Sequence, residues 1–198
     1  MKHITSLEKI KQFYKLISVS FLIQLTYIGS AMAYEEPDYR LIKSTDVYEI
    51  RYYEDRLAVQ TLQSSGNDRA FGRLFEYISG SNQSSSKISK TTPVIEVDEG
   101  NGSLMHFFLP KNYTKQSAPA PQAKNVKLVI VKGGYYAVIR YSGRSTNQNH
   151  QRYSTVLQEA LNKDGVTFRN RPIKAIYNGP FTPAFLRRNE AVFLVDWD

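Results

Sequence analysis

Twice along this chain, two strand-length runs, a helical run and two more strand-length runs follow one another in the same order, and any fold must house both sets. In the first set the alternation predicts strands at 47–54 and 57–64, a helix from about 68 to 79, and strands at 93–97 and 103–109 about the turn DEGNG. A further strand is expected near 39–43. After KNYTKQSAPAPQAKN, residues 111–125, the order returns. VKLVIVK, the turn Gly133-Gly134 and YYAVIRY lead to a helix over 146–163 and strands at 172–178 and 190–196. Hairpin-linked strands with two helices cannot build a parallel sheet of βαβ units, so the expected class is α+β with antiparallel pairing. Two β-β-α-β-β units in tandem imply a duplication whose strands join around one core, as a continuous sheet or as a barrel.

Both helices read as amphipathic. Ala70, Phe71, Leu74, Phe75 and Ile78 fall on one face of the first, Asn67 or Asp68 can cap its start, and Gly80 can take the left-handed closing position. The second presents Tyr153, Val156, Leu157, Ala160 and Leu161 and meets Gly165 beyond its end.

The amino-terminal stretch does not belong to this pattern. Lys2, Lys9, Lys11 and Lys15 precede the uncharged run LISVSFLIQLTYI, and Ala31-Met32-Ala33 follows it. These are the three parts of a secretory signal peptide, so residues 1–33 are expected to be cleaved and 34–198 to form the mature domain, periplasmic or secreted. A run of this length is short for a bilayer span, and no integral span is expected after cleavage; the alternative is an uncleaved anchor. Beyond residue 33 the chain keeps 22 basic and 17 acidic residues, dispersed rather than in runs. That balance suits an anionic small molecule and argues against nucleic acid.

The chain has no cysteine, which excludes disulfides and thiolate chemistry. It also lacks a His-Glu-x-x-His pair and a Gly-x-Ser-x-Gly elbow, so no enzymatic activity is expected. In YEIRYYED, residues 48–55, Tyr48, Ile50 and Tyr52 share one strand face and Glu49, Arg51 and Tyr53 the other. The first face reads either as core or as an aromatic wall for a flat ligand.

Several segments resemble the SOUL haem-binding family: YEIRYY at 48–53, AFGRLFEYISGSN at 70–82, KISKTTPV at 87–94, FFLPKNY at 107–113, APAP at 118–121, and YNGP with RRNE at 177–190. They stand in family order across almost the whole mature chain. Lys90 departs from the methionine usual before Thr-x-Pro-Val. The resemblance implies a distorted antiparallel β-barrel flanked by two helices. It also implies binding of haem or a related tetrapyrrole, and together with the export signal and the missing catalytic motifs the expectation is an exported, non-enzymatic, monomeric carrier, buffer or sensor. The alternative on the same barrel is a structural or protein-interaction module, or a binder of another amphipathic small molecule.

A tetrapyrrole needs an apolar slot and cations for its propionates, with an axial ligand optional. In the groove that the resemblance implies, Phe71, Phe75, Phe181 and Phe185 are candidates for the slot, and Arg69, Arg73, Arg187 and Arg188 for the rim. For Phe71 and Phe75 ordinary helix packing stays open beside this, as does a purely structural role for Arg188-Asn189-Glu190. Tyr52 stands where an axial histidine has been proposed in the family, so it is the candidate metal ligand, with simple packing as its alternative. The expected mode is therefore apolar contact plus propionate pairing.

Overall fold

Alternating runs broken by Gly, Asn and Asp become antiparallel strands in the computed structural model, which describes residues 34–64, 69–100 and 102–197. The strands are β1 (Arg40–Ser44), β2 (Glu49–Tyr53), β3 (Arg56–Gln63), β4 (Val94–Asp98), β5 (Ser103–Phe108), β6 (Val126–Val131), β7 (Gly134–Tyr141), β8 (Phe168–Ile176) and β9 (Asn189–Val195). Helix α1 (Ala70–Ile78) follows β3, helix α2 (Asn147–Lys163) follows β7, and a 3-10 turn, Ala184–Leu186, precedes β9. The expected signal peptide of residues 1–33 and the expected capping residues Asn67 and Asp68 lie outside the described residues. No described helix is long and apolar enough to cross a membrane.

All strands pair antiparallel in one sheet of order β1-β2-β7-β9-β8-β4-β5-β3-β6. The sheet is thus α+β as expected, but its hydrogen bonding is open: β1 and β6 are its edges, and the pairings do not close a barrel. What bends it is connectivity. Strands β2 and β3 stand six places apart in the order yet are joined by Glu54 and Asp55 alone, which reach roughly 10 Å. Strands β6 and β7, also six places apart, are joined by Lys132 and Gly133. The two links touch: Gly133 N–H donates to Asp55 Oδ1 at 2.8 Å, and Lys132 Nζ meets Asp55 Oδ2 at 2.8 Å. A Cβ on Gly133 would stand 2.4 Å from Tyr53 O, so the crossing requires glycine. The sheet therefore curls back on itself, with an outer face under the helices and an inner face turned upon itself.

Two cores lie on the outer face. Leu74, Tyr77 and Ile78 of α1 pack on Leu57, Val59, Met105 and Phe107. Leu157 and Leu161 of α2 pack on Tyr48, Ile50, Ile139 and Phe193. Each large side chain removed from water in this way contributes about 1.5–3 kcal/mol. The buried stripe of α1 is Ala70, Leu74, Tyr77 and Ile78, spaced i, i+4, i+7 and i+8, so Phe71 and Phe75 sit about 100° round the helix from it. Tyr77 takes their place, its hydroxyl donating to Pro119 O at 2.8 Å and tying the 111–125 segment to the helix. Thr146 caps α2 by accepting from Asn149 N–H, and Gly80 and Gly165 hold the left-handed positions after the helices.

Candidate functional site

Because α1 turns Phe71 and Phe75 off its buried stripe, both rings are nearly half exposed, at 46% and 48%. They stack on each other, centroids 6.2 Å apart and planes 12° apart, and Phe71 stands edge-on to the buried Phe107 of β5 at 5.1 Å. Lys90 Nζ lies 5.9 Å from the Phe71 centroid. Arg69 at the head of the helix is mostly exposed and pairs with Glu76 at 3.6 Å. This is a flat apolar surface with cations beside it. Arg73, by contrast, turns toward the sheet: Nε donates to Thr61 Oγ1 at 3.1 Å and Nη2 to Leu62 O at 2.7 Å.

The second group of candidates lies in the loop between β8 and β9. Phe181 is 99% exposed and Phe185 76%, with Leu186 beside them also exposed. The register Phe107–Val94–Ile176–Asn189 puts the start of this loop in the same row as the residue beneath Phe71, two strand spacings or roughly 10 Å away. The structure thus brings both aromatic groups to one end of the sheet. Arg187 is spent inside the loop, donating to Thr182 O and Pro180 O.

Arg188 is more deeply committed. Its guanidinium lies 3.6 Å over the Tyr177 ring, donates to Glu190 Oε1 at 2.9 and 3.0 Å, and reaches Glu36 Oε2 at 2.8 Å. Glu190, 1% exposed, also accepts from Arg51 Nη1 at 3.2 Å and from the Tyr177 hydroxyl at 2.8 Å. Arg51 in turn holds Glu49 at 2.6 Å and Tyr53. Burial and the adjacent Glu190 push the Tyr177 hydroxyl far above its ordinary pKa. Burial works to lower Arg51, but Glu190 and Tyr53 outweigh it and hold the guanidinium charged. Sequence reading singled out Arg188 but missed this cluster. The available signal was the second face of YEIRYYED, where Glu49, Arg51 and Tyr53 alternate with the core.

Tyr52 lies apart from the α1 surface. It faces outward on β2, 5.0 Å from the Tyr135 ring, with the Arg40 guanidinium 5.2 Å over it, in a shallow depression shared with Asp38 and Tyr39. Its neighbours Tyr48 and Ile50 are buried under α2, and the Tyr48 hydroxyl donates to Asp164 Oδ2 at 2.6 Å. Among the described residues no three His, Asp or Glu side chains converge as a metal group. The α1 surface and the β8–β9 loop present exposed aromatic rings, with Arg69 and Lys90 beside those of α1.

Proteins of known structure share the architecture at low identity. A hydrolase from Listeria innocua superposes with a TM-score of 0.59 at 10% identity, over 78% of this chain and 94% of that one. The EcmrR C-terminal domain gives 0.58 at 10% identity over 81% and 99%, and an uncharacterized conserved protein from Listeria innocua gives 0.57 at 10% over 83% and 94%. These likenesses speak to fold alone. No curated protein matches the chain in sequence. The model of the SOUL heme-binding protein family, however, matches residues 34–194, nearly the entire described chain. The chain belongs to the SOUL heme-binding protein family.

Proposed function

We propose that this protein is an exported, non-enzymatic binder of haem or a related tetrapyrrole, acting as a carrier, buffer or sensor. The family match over residues 34–194 supports the haem-binding part of this reading, and the stacked, half-exposed Phe71 and Phe75 support a site on α1. In this reading the ring plane lies against Phe71 and Phe75, with Phe181 and Phe185 on the facing side. Arg69 and Lys90 serve the propionates. Arg73, Arg187 and Arg188 support the groove from beneath, because their nitrogens already serve Thr61, the 180–182 carbonyls and Glu190. Bound haem would bring a redox-active iron; the chain's own part is to stack, to pair charge and to shield one face from water. Micromolar affinity needs no iron bond: about 400 Å² of buried apolar surface is worth about 10 kcal/mol before the cost of association.

The duplication belongs to the same proposal. Matching β2, β3, β4 and β5 with β6, β7, β8 and β9 makes the strand order symmetric about the β8–β4 pair, with α1 on β3 and β5 and α2 on β7 and β9. The curled sheet is then a distorted barrel left open in its hydrogen bonds.

Titration of the purified protein with ferric haem, and in parallel with a metal-free porphyrin, tests the reading. Saturable one-site binding of both is expected, along with a mature chain that begins at Tyr34 by mass spectrometry. Non-saturating uptake would sink it. That result would favour a protein-interaction module, a reading for which the exposed Phe181, Phe185 and Leu186 speak.

A further inference from the structure

The inner face of the curled sheet encloses a cavity of about 100 Å³, room for several waters or a small organic molecule. Its wall is largely apolar, with Ile95, Val97, Phe108, Ile173 and Val192 contributing. Its strand residues alternate with those packed under the helices, so it lies on the other face of the sheet from the α1 surface.

Two side chains in this wall carry buried polar atoms without a hydrogen bond. Nη1 and Nη2 of Arg56 are both buried without a hydrogen bond, and the guanidinium lies 4.4 Å over the Phe108 ring. Its ion-pair partner is Glu35, whose Oε1 stands 3.7 Å from Nη2, beyond hydrogen-bond range, and already accepts from Lys111 N–H at 3.0 Å. Asp38, the other carboxylate acting on Arg56, is held by Lys111 Nζ. The second group is His106, 8% exposed. Its Nε2 donates to Gln60 Oε1 at 3.0 Å, which leaves Nδ1 as an acceptor with no donor.

The other charges facing the cavity are matched. Glu190 has two guanidiniums and a tyrosine, and Lys132 has Asp55; the exception is Glu54, which is exposed. Arg56 has the Glu35 ion pair but no hydrogen bond at either Nη, and a buried guanidinium without hydrogen bonds is costly unless an acceptor meets it.

We propose that this cavity is a second binding site, for a small organic monoanion. An apolar ring or short chain lies against Phe108 and the aliphatic wall, and one carboxylate takes Nη1 and Nη2 of Arg56 in the two-pronged geometry that guanidinium favours. Nδ1 of His106 accepts from a hydroxyl on the ligand or from a water carried in with it.

Benzoate, benzylammonium and benzyl alcohol share a ring and differ in charge, so titrating the full-length protein with each, followed by amide NMR and calorimetry, tests the proposal. Benzoate should saturate one site, shift the amides of Ala58, His106 and Phe108, and bind about tenfold or more tightly than benzylammonium. Arg56→Met should lower benzoate affinity about tenfold while leaving benzyl alcohol unchanged, and Arg56→Lys should retain part of the preference. Haem should bind the benzoate-saturated protein as it binds the free one, whether or not the outer groove proves to be its site. Equal binding of the three probes in the wild type would overturn the proposal even if Arg56→Met failed to fold. So would unaltered benzoate affinity in Arg56→Met, or one-for-one displacement of haem by benzoate.

Discussion

Replacing Glu190 with glutamine changes one atom and removes the only carboxylate at the centre of the inner-face cluster. In the folded protein that carboxylate, 1% exposed, takes hydrogen bonds from Arg51, Arg188 and Tyr177. The glutamine keeps the shape but supplies an NH2 where donors already converge, and it leaves Arg51, 5% exposed, with Glu49 as its remaining carboxylate. Removing one partner from a buried pair costs about 3–5 kcal/mol. Glu49 and Glu36, on the same guanidiniums and partly exposed, offset some of this, so about 3 kcal/mol is expected here. For a domain of this size that is a fall of roughly 6–12 °C in Tm. Urea unfolding followed by the fluorescence of Trp197, the chain's single tryptophan, measures it directly. Glu49→Gln provides the contrast: its carboxylate is 35% exposed and bonds Arg51 at 2.6 Å, so the loss should stay below about 1 kcal/mol. A Glu190→Gln loss no larger than that of Glu49→Gln would refute the argument that burial, rather than proximity, gives the cluster its weight.

Burial holds the pKa of His106 at about 4 instead of the ordinary 6.5. The unfolded chain therefore takes up a proton first, and about 3 kcal/mol of stability present above pH 6.5 is lost by about pH 4. His106→Leu should flatten the difference in urea midpoint between about pH 7 and about pH 4.5, and an unchanged difference would show that the histidine is not its source. In Gly133→Ala the new Cβ must displace Tyr53 O and the Glu54–Asp55 backbone, and thermal unfolding should report a loss of about 1–3 kcal/mol; a neutral result would mean that the two links do not cross tightly. The double change Phe71→Ala, Phe75→Ala should weaken haem binding about tenfold or more in a Soret titration, while Tyr52→Phe should leave it within about threefold. The reverse ranking would move the haem site to β2.

Most of the fold was legible because its strands obey a period of two and its helices end at glycine. The expected spans at 47–54, 57–64, 103–109 and 146–163 differ from β2, β3, β5 and α2 by a residue or two at their ends. Strand β8 begins earlier than 172, at Phe168, because its register shifts between Arg169 and Ile173, about Pro172, and that break hides the first half from an alternation search. On α1 the pattern Ala70, Phe71, Leu74, Phe75, Ile78 was read as one stripe, but at nine residues the helix buries only a narrow one. Tyr77 entered it by giving its hydroxyl to Pro119, 42 residues away, a contact no local window contains. Openness of the sheet could not be read either, since pairing between strands far apart in sequence leaves no local mark. The arginines illustrate the same limit. Arg69, Arg73, Arg187 and Arg188 look alike in sequence, and only Arg69 keeps its side chain at the surface with a single exposed partner.

An antiparallel sheet ordinarily packs one face and wets the other. In this chain both helices cover the same outer face, so the apolar half of each strand's alternation is satisfied there. The other half, which a flat sheet would show to water, is turned inward by the crossing of Glu54–Asp55 and Lys132–Gly133. That face is apolar in part, with Val138, Ala175 and Val192 buried on it, and the polar residues it also carries are enclosed with them: Arg51, Glu190, Arg56 and His106. Glu190 answers the first with an ion pair, whereas Arg56 and His106 retain unmet atoms beside open volume. The ion cluster and the cavity are therefore two outcomes of one topological cause. The surface proposed for haem has a different origin, since it depends on the 100° between the buried stripe of α1 and its two phenylalanines. If both proposals hold, substitutions inside the curl should empty one site without touching the other, and that independence would separate two ligands on one small domain from a single extended groove.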